Sequence, residues 1–196
     1  AEGIARVATN GTEAVVAEVN SETDFVAKNE VFQEFVQTVA DTALASGLNG
    51  GANGEDVEAV LATNGLQDLL VEKTATIGEK LSFRRFAKVS GDCVATYLHG
   101  GGKIGVLVAA TGANGDAEKE ALTNVAMQVA AMNPQYVGRS DISQAEIDKM
   151  RDITVDSSLN DPASLPKPIL NALFDKAVND KLFSDADLAA YEEKKN

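Results

Sequence analysis

Gly3-Ile4-Ala5-Arg6-Val7-Ala8-Thr9-Asn10-Gly11-Thr12-Glu13-Ala14-Val15-Val16-Ala17-Glu18-Val19 is the stretch from which the architecture can be built. Gly3 to Val7 and Ala14 to Val19 are β-like runs on either side of an Asn-Gly pair. That dipeptide readily takes positive φ at both central positions of a turn, so the segment reads as a β-hairpin. Asn10-Gly11-Thr12 also fits a glycosylation acceptor, but with no secretory signal in view the turn reading is preferred. Downstream, Val31, Phe32, Phe35, Val36, Val39, Ala40 and Ala43 recur at helical spacing and leave Glu30, Glu34 and Asp41 outward. Asn29 or Thr23 is placed to cap that helix. Ser46 to Gly54 is rich in glycine and asparagine and reads as a flexible loop. Short helical patterns follow near Glu55 to Ala62 and Leu66 to Thr76, and Gly78 stands where a helix end favours left-handed backbone. Leu81 to Val89 then alternates apolar and basic residues and reads as a partly exposed strand, with Phe86 out of the strict period.

The hairpin repeats. Displaced to the second half of the chain, Gly3 to Val7 falls on Cys93 to Tyr97, Asn10-Gly11 on Gly100-Gly101, and Val16 on Val106. Phe35, Val36 and Val39 fall on Val125, Ala126 and Val129 in the same register. Strand, turn and helix agreeing at one offset point to a duplicated unit. The fold expected is therefore α+β: two related subdomains, each a β-hairpin plus helices around an antiparallel sheet. Their bounds are read as 1–89 and 90–140, with a helical extension or insertion over 141–196. The third strand of the first half would map onto Asn171 to Asn179, which reads as helix instead. Ile142 to Arg151, Lys167 to Asp180 and Ser184 to Lys195 are helical patterns, the last with Ser184 and Asp187 placed as a capping box.

Composition excludes several classes. Hydrophobic residues make up 44% and charged residues 24% of 196, as in ordinary globular proteins. The longest apolar runs, such as Ile104 to Ala110, fall far short of a bilayer span. Thirty acidic against 17 basic residues give a net charge of −13. Phosphate backbones demand a basic footprint, so direct nucleic-acid binding is disfavoured. The single cysteine, Cys93, lies in an apolar-alternating stretch and reads as a buried, reduced thiol. The opening Ala1-Glu2-Gly3 has neither initiator methionine nor signal segment and reads as an internal start.

Catalytic patterns are poorly supported. The lone histidine, His99, precedes Gly100-Gly101-Gly102-Lys103, yet no Gly-x-Ser-x-Gly elbow supplies a nucleophile. Lys103 is followed by Ile104 rather than Ser or Thr, and the P-loop spacing fails. One His and one Cys do not build the usual zinc sites. Catalytic, metal and cofactor roles are therefore all expected to be none. The rival from another class is a small hydrolase or transferase using His99 and the Gly100 to Gly102 loop.

What stands out is the corner between the first hairpin and its helix, Asn20-Ser-Glu-Thr-Asp-Phe-Val-Ala-Lys-Asn29. Polar residues are expected in such a turn; Phe25 and Val26 are not. Either the pair staples the helix to the core, with Thr23 or Asp24 capping a turn, or an aromatic anchor beside a carboxylate is displayed at a rigid corner.

Glu18-Val19-Asn20-Ser21-Glu22-Thr23-Asp24-Phe25-Val26-Ala27-Lys28-Asn29 closely resembles the signature of bacterial translation elongation factor Ts. Ile77-Gly78-Glu79, followed by Arg84-Arg85, looks like a second motif of that family. Tyr97-Leu98-His99-Gly100, running into Lys103 to Ala110, looks like a third. The three stand in family order and cover roughly Ile4 to Pro134. Asp152 to Asn196 resembles the family only loosely, and the family's N-terminal helical module and closing strand have no counterpart here. The resemblance implies two related α+β subdomains and a guanine-nucleotide exchange factor, cytoplasmic, acting on the GTPase elongation factor Tu. It leaves room for a homodimer. In the family the Asp-Phe pair wedges into the GTPase and disturbs its Mg²⁺ and phosphate region. Carried over, Phe25 is the wedge, Asp24 fixes its pose, Thr23 holds the corner and Val26 completes it. Ile77 and Gly78 meet the same GTPase domain, and His99 meets another region.

Overall fold

Strands β1 (Glu2–Thr9) and β2 (Glu13–Ser21) pair antiparallel, Glu2 opposite Ser21 and Thr9 opposite Ala14, in a computed structural model that describes residues 2–112 and 114–154. The turn between them differs from the expected one. Gly11 has φ of 102°, but Asn10 is not among the residues with positive φ. Its side chain does the work instead: Oδ1 accepts from the amides of Thr12 at 3.1 Å and Glu13 at 2.8 Å. An Asn side chain that bridges the turn removes the need for a left-handed backbone at its own position.

After a corner helix α1 (Asp24–Ala27) comes α2 (Glu30–Ser46), which lays Phe32, Phe35, Val36, Val39, Ala40 and Ala43 on the sheet, all buried. Val31 stays 41% exposed. At 100° per residue it sits about 110° from the centre of that stripe, outside the buried face. Each large side chain so buried contributes roughly 1.5–3 kcal/mol of transfer free energy. Asn29, not Thr23, caps α2, its Oδ1 accepting from Val31 N at 2.8 Å and, at 3.4 Å, from Phe32 N.

The glycine-rich segment that follows is ordered. Gly50–Gly51 forms a short strand, β3, opposite Phe86 and Ala87. The Asp56 carboxylate accepts from Gly50 N, and Lys88 N donates to Asn49 O at 3.0 Å. A Cβ at Gly50 would lie 2.2 Å from the Phe86 carbonyl oxygen, and its φ is 66°. Only glycine lets the backbones approach this closely, which is why the strand has the composition of a loop. Helices α3 (Val57–Leu61) and α4 (Leu66–Ile77) follow, and α4 ends at Gly78 with φ of 79°.

Strand β4 (Ser82–Ser90) completes an antiparallel sheet of order β1-β2-β4-β3. Its register against β2 slips once: Glu18 faces Arg85, whereas Val19 faces Phe83. Arg84 is thus the extra residue of a β-bulge, and this is why Phe83 and Phe86, three apart, both point into the core. Their rings lie 5.9 Å apart.

The second hairpin, β5 (Cys93–His99) and β6 (Ile104–Ala110), forms a two-stranded sheet covered by α5 (Asp116–Met132). The duplicated plan is present, but its helix is less covered than α2. Ala126 is buried, whereas Val125, the counterpart of Phe35, is exposed. The hairpin packs on the face of the first sheet away from α2. A Cβ at Gly105 would meet Val16 Cγ2 at 2.7 Å, and Ala5 N donates to Gly102 O at 2.7 Å. Cys93 is free and buried.

By packing, the chain divides into two compact units, Ala1–Pro134 and Gln135–Asn196. In the second, a 3-10 turn at Arg139–Asp141 precedes α6 (Gln144–Thr154), matching the helical pattern expected from Ile142. Ser143 Oγ accepts from Glu146 N, and the Glu146 carboxylate accepts from Tyr136 Oη. The helical patterns from Lys167 and from Ser184, and the position onto which the third strand maps, lie outside the described residues. Among the described residues no helix is long and apolar enough to cross a membrane.

Candidate docking site

The corner is held from several sides. Ser21, buried at the end of β2, donates its hydroxyl to Thr23 O at 3.0 Å. Asn29 N donates to Val26 O, and Gln33 Nε2 to Ala27 O. Gln33 Oε1 in turn accepts from Arg6 at 2.9 Å, which ties the helix to β1. Thr23 occupies the N-cap position of α1 with no side-chain cap bond. Its hydroxyl instead donates to Glu79 Oε1 at 2.5 Å. The other oxygen of Glu79 accepts from the amides of Glu22 at 3.1 Å and Thr23 at 3.0 Å. The Thr23 hydroxyl, helped by those amides, holds the Glu79 carboxyl below the usual glutamate range.

On this frame the two apolar residues part ways. Val26 is 9% exposed and belongs to the core, as the staple reading expects. Phe25 is 80% exposed, in a helical turn held by these hydrogen bonds, with no core contact to explain it. Asp24 pairs with Lys28 at 3.1 Å across one helical turn, and both side chains stay in water. Such a pair contributes little stability. In this geometry the carboxylate lies along the helix toward Lys28, beside Phe25.

Ile77 is the last residue of α4 and packs partly on the core; Gly78 is exposed. Because Glu79 is the next residue, the first and second motifs meet physically at one joint. Glu79 stands in the second motif, but its role is not legible in the sequence, since hydrogen bonds spanning 56 positions leave no periodic trace. The Asp24–Lys28 spacing was open to notice as an i,i+4 pair. Just past the joint, Glu18 accepts from Arg85 Nε at 2.6 Å and faces Arg84 Nε at 3.5 Å across the bulge.

His99 is exposed at the tip of the second hairpin, its Nδ1 3.1 Å from Tyr97 Oη. No hydrogen bond among the described residues joins it to the corner. A cleft of about 580 Å³ lies between the sheet and the turn after His99, lined by Glu18, Asn20, Arg85 and Gly102 to Gly105 among others. It includes none of the residues expected to meet the GTPase, while Gly102, of the loop in the rival reading, lines it and His99 does not. Its charged groups pair with each other or with Arg84, Lys103 with Glu2 and Glu18 with the arginines. Among the described residues no group of three or more His, Cys, Asp or Glu is placed to hold a metal ion.

Over residues 22–188 the chain matches the protein family described as Elongation factor TS. It belongs to the elongation factor Ts family. The match starts within the corner, at Glu22, and runs through both later motifs. It also continues through 152–188, within the stretch that resembles the family only loosely by eye. Elongation factor Ts membership implies a nucleotide-exchange role toward elongation factor Tu in translation, which is not catalysis in the usual sense.

Proposed function

We propose that this chain promotes GDP release by docking Phe25 into the GTPase domain of elongation factor Tu and disturbing the Mg²⁺ and phosphate region there. One observation carries the reading: Phe25 is 80% exposed on a corner whose neighbouring Val26 is core. An aromatic side chain on a held backbone has only two torsions to order on binding and gains the transfer of its ring, roughly 1.5–3 kcal/mol. Asp24 beside it meets a polar group of the partner, and Thr23 keeps the turn. Ile77 and Gly78 contact the same domain, His99 a second region, and the setting is the cytoplasm.

Exchange needs no contact with the nucleotide. A factor that binds the nucleotide-free GTPase more tightly than the GDP form must, by linkage, weaken GDP to the same extent. A coupling of about 4 kcal/mol corresponds to roughly a thousandfold. The test is release of fluorescent GDP from elongation factor Tu. Phe25→Ala is expected to lose about 2 kcal/mol of binding, some thirtyfold, and to slow release. Normal stimulation by that variant would rule the wedge out. Turnover without any GTPase, abolished by His99→Ala, would favour the hydrolase or transferase reading instead.

A further inference from the structure

We infer that Glu79 is a positioning residue: its carboxylate clasps the Phe25 corner to the end of α4, so that both docking motifs are presented as one preformed surface.

The clasp is reciprocal. Glu79 accepts from Glu22 N, Thr23 N and the Thr23 hydroxyl, while Glu22 Oε2 accepts from Lys80 N at 3.3 Å. Each of two adjacent backbone segments thus uses a carboxylate to satisfy the other's amides. An ordinary N-cap threonine turns its hydroxyl onto its own helix. Here α1 has only four residues and its N-cap hydroxyl points across to Glu79. The amides of Glu22 and Thr23 lie just before the helix and would otherwise be left to water. Charge-assisted bonds to ionised acceptors are the stronger kind. The lowered pKa of Glu79 agrees with a carboxylate held in its ionised form by donors.

Holding the corner before the partner arrives removes an ordering cost from docking. The inference rests on the docking role proposed for Phe25, and it predicts a particular signature. Without the clasp the corner must be ordered on binding, after which its pose is unchanged. The half-saturating concentration should therefore rise while the maximal rate of GDP release changes little.

The experiment compares wild type, Phe25→Ala, Glu79→Ala, Glu79→Gln and the Phe25→Ala/Glu79→Ala double variant. GDP release from elongation factor Tu is followed over a range of factor concentrations, and amide exchange of each free chain by NMR. Glu79→Ala is expected to raise the half-saturating concentration about tenfold, with Glu79→Gln intermediate. In the Phe25→Ala background the same change should add less than about twofold, because both act through one corner. Amides of Glu22 and Thr23 should exchange faster in Glu79→Ala, while those of Val36 and Val39 stay protected. Equal penalties in both backgrounds, or unchanged protection at Glu22 and Thr23, would overturn the inference. A defective Phe25→Ala beside a normal Glu79→Ala would overturn the clasp alone. A normal Phe25→Ala would overturn the docking reading and the clasp's functional role with it. Should Glu79→Ala fail to fold, Glu79→Gln carries the same comparisons, and wild-type behaviour in it would overturn the inference.

Discussion

At the residue scale, Phe25 and Val26 show how one polypeptide corner divides two tasks between neighbours. A helical turn rotates successive side chains by 100°, so one of the pair can enter the core while the other leaves it. This makes a clean contrast available. Val26→Ala should lower unfolding stability by about 1–3 kcal/mol through lost burial and a residual cavity, read from urea denaturation. Phe25→Ala should leave that curve unchanged and act only on GDP release. Reversal of the two phenotypes would mean that Phe25, not Val26, is the structural member. The presence of an anomalous apolar pair was legible in the sequence, because polar residues are expected in such a turn. Which of the two faced water was not, since it depends on where the helical turn sits against the sheet.

At the scale of elements, regular pieces were legible and irregular ones were not. The first hairpin, the long helix and the doubled plan follow from periodicity and turn residues. The strand at Gly50–Gly51 escaped because a backbone made of glycine to permit close approach looks like a loop. The position of the turn at Asn10 is legible and its backbone is not, because side-chain and backbone solutions to a turn use the same residue. Phe86 looked out of period because a bulge adds a residue that no alternation rule counts. Packing between the two hairpins rests on a similar close approach. A Cβ at Gly102 would stand 2.6 Å from Ala5 O, and its φ is 99°. Gly102→Ala should therefore destabilise the chain by about 1–3 kcal/mol and speed amide exchange at Ala5. Unaltered exchange there would show that the Ala5–Gly102 bond does not anchor the second hairpin.

For the molecule as a whole, acidity sets the solution behaviour. The net charge of −13 means that lowering the pH relieves general repulsion. Four carboxylates among the described residues, Glu13, Glu55, Glu79 and Glu146, are held below the usual range and oppose that trend, and two of them tie distant segments together. Glu13 is held below the usual range by a hydrogen bond from Lys88, then by Asn10. Lys88 also donates to Gly47 O, where α2 ends. Glu79 is lowered by the Thr23 hydroxyl. Because both are lowered in the folded state, their contribution is present above the unfolded glutamate pKa and is lost as pH falls through the folded values. Melting temperature should thus drop on acidification from the glutamate range downward, and less steeply in a Glu13→Gln/Glu79→Gln variant. Parallel pH profiles for the two proteins would exclude these carboxylates as the cause.

The bulge at Arg84 has a consequence for how this chain tolerates changes of length. Removing Arg84 leaves Phe83-Arg85-Phe86, whose aromatics fall two apart and so share one face of an uninterrupted ladder. Val19 keeps Phe83 as its partner and Glu18 keeps Arg85. Read this way, Arg84 behaves as a one-residue insertion that the sheet carries without disturbing the pairing on either side. Its deletion is the length change in β4 that should leave both faces where they are. Deleting Ala87 instead would turn one side of the strand over.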